Sequence, residues 1–304
     1  MGVSCLLSDL PSMGGVLRFL SLSIFWVAWA PPLSLYWGLI LLLLAAFLVP
    51  NGLIFFVAFE GSLLPIRLLV LWGGLRPERL AAVAYISVYT LVGGGVHVLG
   101  LLACLRAVGS LKWGLREPFV FGGGGWAWYA ILLALLVKLP AYGVHFWLPK
   151  AHVEAPTGGS MVLAGVMLKL GTYGILRYGR WALATGPTVI FSFLIWGGLL
   201  ACLAIASQAD LKGFAAYRSV VHIRLATAAL FTWGSLGAKA AFLVALGHGF
   251  SSSALFCVVG VAQERGRSRN AMLLTGLRTL GRGAFLALFA IFFASNGAPP
   301  FFPF

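Results

Sequence analysis

Hydrophobic stretches of about 20 residues follow one another along almost the whole chain, and this spacing constrains the fold more than any motif does. A bilayer's hydrocarbon core is about 30 Å thick, and a helix rising about 1.5 Å per residue crosses it in about 20 apolar residues. Such segments lie near 15–30, 33–49, 51–72, 81–107, 126–149, 158–178, 185–206, 213–233, 236–262 and from 283 to the end. The pattern predicts an all-α, polytopic transmembrane bundle with nine spans and the start of a tenth. It forms one transmembrane domain over residues 1–304, with no soluble domain. Most segments are apolar all round, whereas a surface helix of a globular protein keeps a polar face. Only 9% of residues are charged and 61% are hydrophobic, against roughly 25% charged in a soluble domain.

The net charge of +14 could suggest nucleic acid as a partner. Its distribution argues against that, because the basic residues sit at helix ends with no basic arm or aromatic-lined groove. Membrane lipids are the fitting partner. Alternating the loops places Arg76, Arg79, Lys150, Lys212, Arg265, Arg267, Arg269, Arg278 and Arg282 on one side. The other side holds Arg106, Lys112, Arg116, Arg177 and Arg180. The first group is therefore read as the cytoplasmic or matrix side. Cys5, Cys104, Cys202 and Cys257 are scattered without a paired spacing, so they indicate no metal or disulfide framework and are read as small buried hydrophobes. The first twenty residues lack the Arg-rich character of a transit peptide.

The glycine run Gly122–Gly125 lacks the Lys-Ser/Thr ending of a phosphate loop and is read as a flexible connection. Glycines inside spans, such as Gly165, Gly171 and Gly174, suit close helix packing. The fifth span stands apart. It carries Lys138, then Pro140, which removes a backbone donor, and then Gly143. A helix broken at membrane depth is tolerated where the freed backbone faces protein or a water-filled cavity, and transporters place ion sites at such breaks. A second break is expected near Pro299.

Helical rise sets the depth of the ionisable residues. Glu60 lies nine residues past Asn51, roughly 14 Å into its span. By the same measure Lys138, Lys169, His222 and His248 lie roughly 15–18 Å deep. An acid or lysine at the bilayer centre costs about 2.5 kcal/mol or more on insertion scales. Five such groups at one depth, one beside a helix break, point to a lateral proton relay rather than to isolated snorkelling side chains or structural ion pairs. A Glu60–Lys138 pair could switch proton affinity as it separates, because a carboxylate stabilises the charged form of a neighbouring lysine. His97 and His145 are assigned structural hydrogen bonding, and Lys239 is assigned to snorkelling. Arg218 shares a helix face with His222, so it and Arg224 are expected to tune His222 or to bind lipid or a neighbouring subunit. His152-Val153-Glu154 resembles half of a zinc-deaminase signature, but its Pro-Cys-x-x-Cys partner is missing, so no metal site is expected.

The run from Lys138-Leu-Pro through His152-Val-Glu-Ala-Pro-Thr to Ser160, followed by Leu163 to Arg177, resembles the chain 4 family of respiratory NADH:ubiquinone oxidoreductase (complex I), its antiporter-like proton-pumping subunits. The segment Phe59-Glu60-Gly-Ser-Leu-Leu-Pro65 is similar to the family's helix with an essential glutamate. Gln208 with Asp210 and Lys212, Ala216 to His222, His248-Gly249 with Ser252, and Glu264-Arg265 with Arg269 follow in the family's order. The resemblance implies a proton relay through Glu60, Lys138, Lys169, His222 and His248, with His152, Glu154, Asp210 and Lys212 in support. It also implies an antiporter-like fold with a first half over about 51–178 and an incomplete second half over 185–304. No cofactor is expected on this chain, while the whole complex would use NADH, FMN, iron–sulfur clusters and ubiquinone. The expected partners are the other membrane-arm subunits, above all the chain 2-like and chain 5-like ones.

Two departures from the family pattern stand out. Family members usually have about fourteen helices, and their second-half acidic residue has no counterpart here. The expectation is that a separate polypeptide completes the C-terminal helices. Arg218 and Arg224 also stand where the family is usually uncharged. The expected location is the mitochondrial inner membrane, with a bacterial inner membrane as the alternative. Competing functions are a subunit of a multi-subunit sodium/proton antiporter and a non-pumping structural remnant.

Overall fold

The computed structural model describes residues 2–28, 32–72, 74, 76–113, 125–178, 188–232, 235–266, 268, 270, 283, 286 and 290. Regular structure among them is helical: α1 (Gly2–Ala28), α2 (Leu33–Leu48), α3 (Gly52–Leu71), α4 (Pro77–Val108), α5 (Gly125–Lys138), α6 (Trp147–Glu154), α7 (Thr157–Val162), a π-helical turn (Leu163–Met167), α8 (Leu168–Tyr178), α9 (Thr188–Ala206), α10 (Leu211–Leu230) and α11 (Ser235–Gly266). Isolated β-bridges join Asn51 to Lys112 and Asp210 to Asn270.

Helix ends follow from local chemistry. Asn51 caps α3 by accepting the Leu53 N–H, which satisfies a donor with no partner inside the helix. Pro77 opens α4, where its missing N–H costs nothing, and Gly109 closes it in the left-handed region at φ +75°.

Among the described residues, five helices are long and apolar enough to cross a membrane: Gly52–Leu71, Pro77–Ala107, Thr157–Tyr178, Val189–Ala206 and Leu236–Gly266. Met13–Trp26, Leu33–Leu48 and Trp126–Lys138 are apolar but shorter. The helix α10 falls outside both sets because it carries Lys212, Arg218 and Arg224. The expected tenth segment and the break near Pro299 lie outside the described residues, apart from isolated positions.

Within the column Thr157–Tyr178, residues 158–175 are buried without interruption. It packs against α1, α5, α10 and α11. Close approach depends on its glycines: a Cβ on Gly171 would stand 2.5 Å from Leu139 Cγ, and one on Gly174 would press on Leu135 and Phe55. The outer faces expose Val57 and Leu64 on α3, Leu91 and Val92 on α4, and Trp196 and Leu203 on α9. Apolar surface this continuous suits lipid or neighbouring subunits, not water. Cys104 is buried as expected, but Cys202 faces outward from α9, so burial does not explain all the cysteines.

Candidate functional site

Two clusters of ionisable side chains occupy the interior. The first forms where α5 stops. Pro140 cannot continue the helix, Gly143 turns at φ +90°, and the chain re-enters a helix at Trp147. The Trp147 indole donates to the Val137 carbonyl at 3.2 Å, which ties the restarted helix α6 back to the last turn of α5. Lys138, the last residue of α5, is thereby held in the interior, 5% exposed at its side chain. It forms an ion pair and hydrogen bond with Glu60 of α3, and its ammonium lies 4.1 Å from the Phe59 ring centroid. Gly94 of α4 makes room for the carboxylate, since a Cβ there would stand 2.8 Å from Glu60 Oε1.

The second cluster joins α8, α10 and α11. Lys169 Nζ stands 2.8 Å from His248 Nδ1 and also donates to the Ala164 carbonyl. That carbonyl belongs to the π-helical turn just before Lys169, and such turns often occur at functional sites. The His248 and His222 rings stack with centroids 5.7 Å apart. Lys169 and His248 are buried, whereas His222 is half-buried.

The five residues expected to form a relay are therefore not joined in one chain of contacts. Leu139, next to Lys138, packs against Gly171, and a small cavity beside Lys138 is lined by Tyr89, Thr90, Val137, Leu163, Met167 and Leu168 among others. That cavity measures about 10 Å³, room for about one water, and its walls offer few of the polar partners a water needs. The sequence placed the five groups at one depth but carried no signal for their separation into two clusters.

Of the residues expected in support, Glu154 and Lys212 come together at the end of the bundle that bears Arg76 and Arg79. A cavity of about 490 Å³ opens there, lined by Arg76, Arg79, Glu154, Lys212, Gln263 and Glu264 among others. Glu154 pairs with Arg79 at 3.7 Å, and Lys212 donates to the Ala155 carbonyl at 3.1 Å. His152 is fully buried, stacked on Phe256 with centroids 4.4 Å apart. Asp210 precedes α10 and makes no capping bond through its side chain.

The hydrogen bonding expected of His97 is not found among the described residues at either ring nitrogen, and that of His145 is not found at Nδ1. Aromatic packing holds them instead, Phe56 and Tyr178 around His97, and Tyr142, Phe146 and Tyr217 around His145. Lys239 is exposed, consistent with a snorkelling side chain. The partner of Arg224 is the unforeseen element. Arg224 is 1% exposed and donates to the Pro140 carbonyl at 2.9 Å.

Residues 50–304 match the family described as NADH:quinone oxidoreductase/Mrp antiporter, transmembrane. The chain belongs to this family. Within the NADH:quinone oxidoreductase/Mrp antiporter family it is similar to NADH-ubiquinone oxidoreductase chain 4 of Albinaria caerulea, at 36% identity over 86% of this chain and 61% of the relative. Chain 4 of Branchiostoma floridae is 40% identical over 78% of this chain and 53% of the relative. The chain thus spans little more than half the length of these relatives. The antiporter-like fold recurs in the Mrp complex from Dietzia sp. DQ12-45-1b, with a TM-score of 0.85 and 21% identity over 97% of this chain and 58% of that one. An archaeal membrane-bound sulfane sulfur reductase gives a TM-score of 0.78 at 19% identity, covering 87% of this chain and 56% of that one. This chain is accordingly a multi-pass membrane protein with the antiporter-like helical fold.

Proposed function

We propose that this chain is a proton-translocating membrane-arm subunit of NADH:ubiquinone oxidoreductase, moving protons through Glu60, Lys138, Lys169, His248 and His222. The observation that carries the reading is the buried Glu60–Lys138 ion pair at a helix break, beside a second basic cluster that reaches across α8, α10 and α11. Glu60 supplies the countercharge that makes a buried ammonium tolerable. Drawing the carboxylate away leaves an uncompensated charge in a poorly solvated site, which is costly. Lys138 relieves that cost by passing a proton on. The two clusters are not joined in one chain of contacts, so transfer from Lys138 to Lys169 requires transient hydration between them. Lys169 then hands the proton to His248, with which it is already in hydrogen-bond contact, and His248 hands it to His222. His152, Glu154, Asp210 and Lys212 support access from the polar cavity.

On this reading the chain carries no redox cofactor. NADH, FMN, iron–sulfur clusters and ubiquinone belong to the remainder of the complex, whose electron transfer drives separation of the ion pair. The neighbours are the chain 2-like and chain 5-like subunits, and the location is the mitochondrial inner membrane, in keeping with the animal sources of the similar chain 4 sequences. The test is Lys138→Ala in the assembled complex, reconstituted in vesicles with NADH and quinone. Proton uptake per NADH oxidised through this subunit should be almost lost. Unchanged uptake at normal assembly would overturn the reading.

A further inference from the structure

Arg224 is among the largest fully buried side chains, on a helix whose neighbouring residue His222 belongs to the second cluster. Its Nη2 donates to the Pro140 carbonyl, two residues past Lys138, at 2.9 Å. Its guanidinium carbon stands 5.5 Å from the centroid of the Tyr142 ring, within the same break. Gly197 of α9 leaves the space it occupies: a Cβ there would collide with Nη1 and stand 2.7 Å from Tyr142 Cβ. Nε and Nη1 have no partner among the described residues. A continuous helix would offer the Pro140 carbonyl an N–H four residues on, but the Val144 N–H turns to Ala141 instead. The carbonyl is thus one of the acceptors orphaned by the break. A cation at a helix C-terminus is also favoured by the helix dipole.

We propose that Arg224 is a positioning residue that fixes the break behind Lys138 and makes α10 a strut between the two clusters. A shift of the break, such as one caused by separation of Glu60 from Lys138, is carried through the guanidinium to the helix that bears His222. The proposal rests on the proton-transfer reading above, but its geometry can be tested separately.

The experiment compares Arg224→Met, Arg224→Lys and Gly197→Ala in the purified whole complex, with Gly198→Ala as control because its Cβ would enter open space. The readouts are amide hydrogen exchange in the 139–146 segment and proton uptake per NADH. Arg224→Met and Gly197→Ala should speed exchange there by about tenfold, the expected loss of a charge-assisted hydrogen bond, and lower proton uptake while electron transfer continues. Arg224→Lys, which can still reach one carbonyl, should recover part of both. Unchanged exchange in Arg224→Met and Gly197→Ala overturns the strut, whatever Lys138→Ala does. Faster exchange together with unchanged pumping in Lys138→Ala would sink the proton-transfer reading and leave the contact standing. Loss of assembly in both test variants, with the control intact, would make the contact a folding element and overturn the positioning role.

Discussion

The two clusters differ in kind. The first, Glu60 with Lys138, is a pair of opposite charges, with the carboxylate 24% exposed and the ammonium 5% exposed. The second, Lys169 with His248 and His222, contains only bases, and no carboxylate among the described residues contacts it. A pair can hold its charge at rest. A group of touching bases without a counterion cannot protonate throughout, because each added charge repels the next in a medium of low effective dielectric. On the proposed proton-transfer reading, the first cluster would store a proton under electrostatic control and the second would pass a single one along.

The largest expected effect comes from unpairing the first cluster. Glu60→Ala strands Lys138, and removing one member of a buried pair costs about 3 kcal/mol or more. Replacing both, in Glu60→Ala with Lys138→Met, removes the stranded charge. The double variant should therefore recover most of the stability while pumping stays lost, as read from the thermal midpoint and proton uptake of the purified complex. If it were no more stable than Glu60→Ala, the pair would not be acting as a charge pair.

Next in size is His248→Leu. It takes from Lys169 one hydrogen-bond partner but leaves the Ala164 carbonyl, so the stability loss should be about 1 kcal/mol. Proton uptake should fall by about a hundredfold, the scale of a lost proton-transfer group. A stability loss as large as that of Glu60→Ala would abolish the distinction between the clusters.

A smaller change sharpens the geometry of the first pair. Gly94→Ala places a methyl against Glu60 Oε1. The carboxylate is the end of a flexible side chain, so it can move at a cost of about 1 kcal/mol, and the coupled rate should fall about fivefold. The companion Gly95→Ala, which meets open space, should leave the proton-uptake rate unchanged.

Much of this was legible from residues alone, for reasons that also mark where legibility ended. Among the described residues five of the expected spans recur as helices long and apolar enough to cross a membrane, because bilayer thickness fixes helix length, whereas the one expected at 213–233 does not. The break could be read because Pro140 and Gly143 act locally. Depth could be read because rise per residue is constant, and it led to Glu60 meeting Lys138. Contacts across helices depend on rotation and register, which depth leaves free. Hence the separation into two clusters was unforeseen, as was the π-helical turn whose Ala164 carbonyl accepts from Lys169. Arg224 stood out as a charge in an apolar span, but its partner at Pro140 lies 84 positions away, beyond any local pattern.

The smallest expected effect concerns the ion pair outside both clusters. Arg79 and Glu154 meet at 3.7 Å at the polar cavity, with side chains 16% and 11% exposed. This pair is partly buried, but it is longer than a hydrogen-bonded pair and beside a cavity wide enough for water, so it is worth about 1 kcal/mol and weakened by salt. Arg79→Met should therefore change the thermal midpoint little and proton uptake less than about twofold, with the difference from the unsubstituted complex shrinking as salt rises. The value of the measurement lies in its contrast with His248→Leu. If Arg79→Met lowered uptake as far as that variant does, the cavity would no longer be a passive mouth. Its charges would then set the rate at which protons enter, and the division into one storing and one passing cluster would have to admit a third, gating region at Arg79 and Glu154.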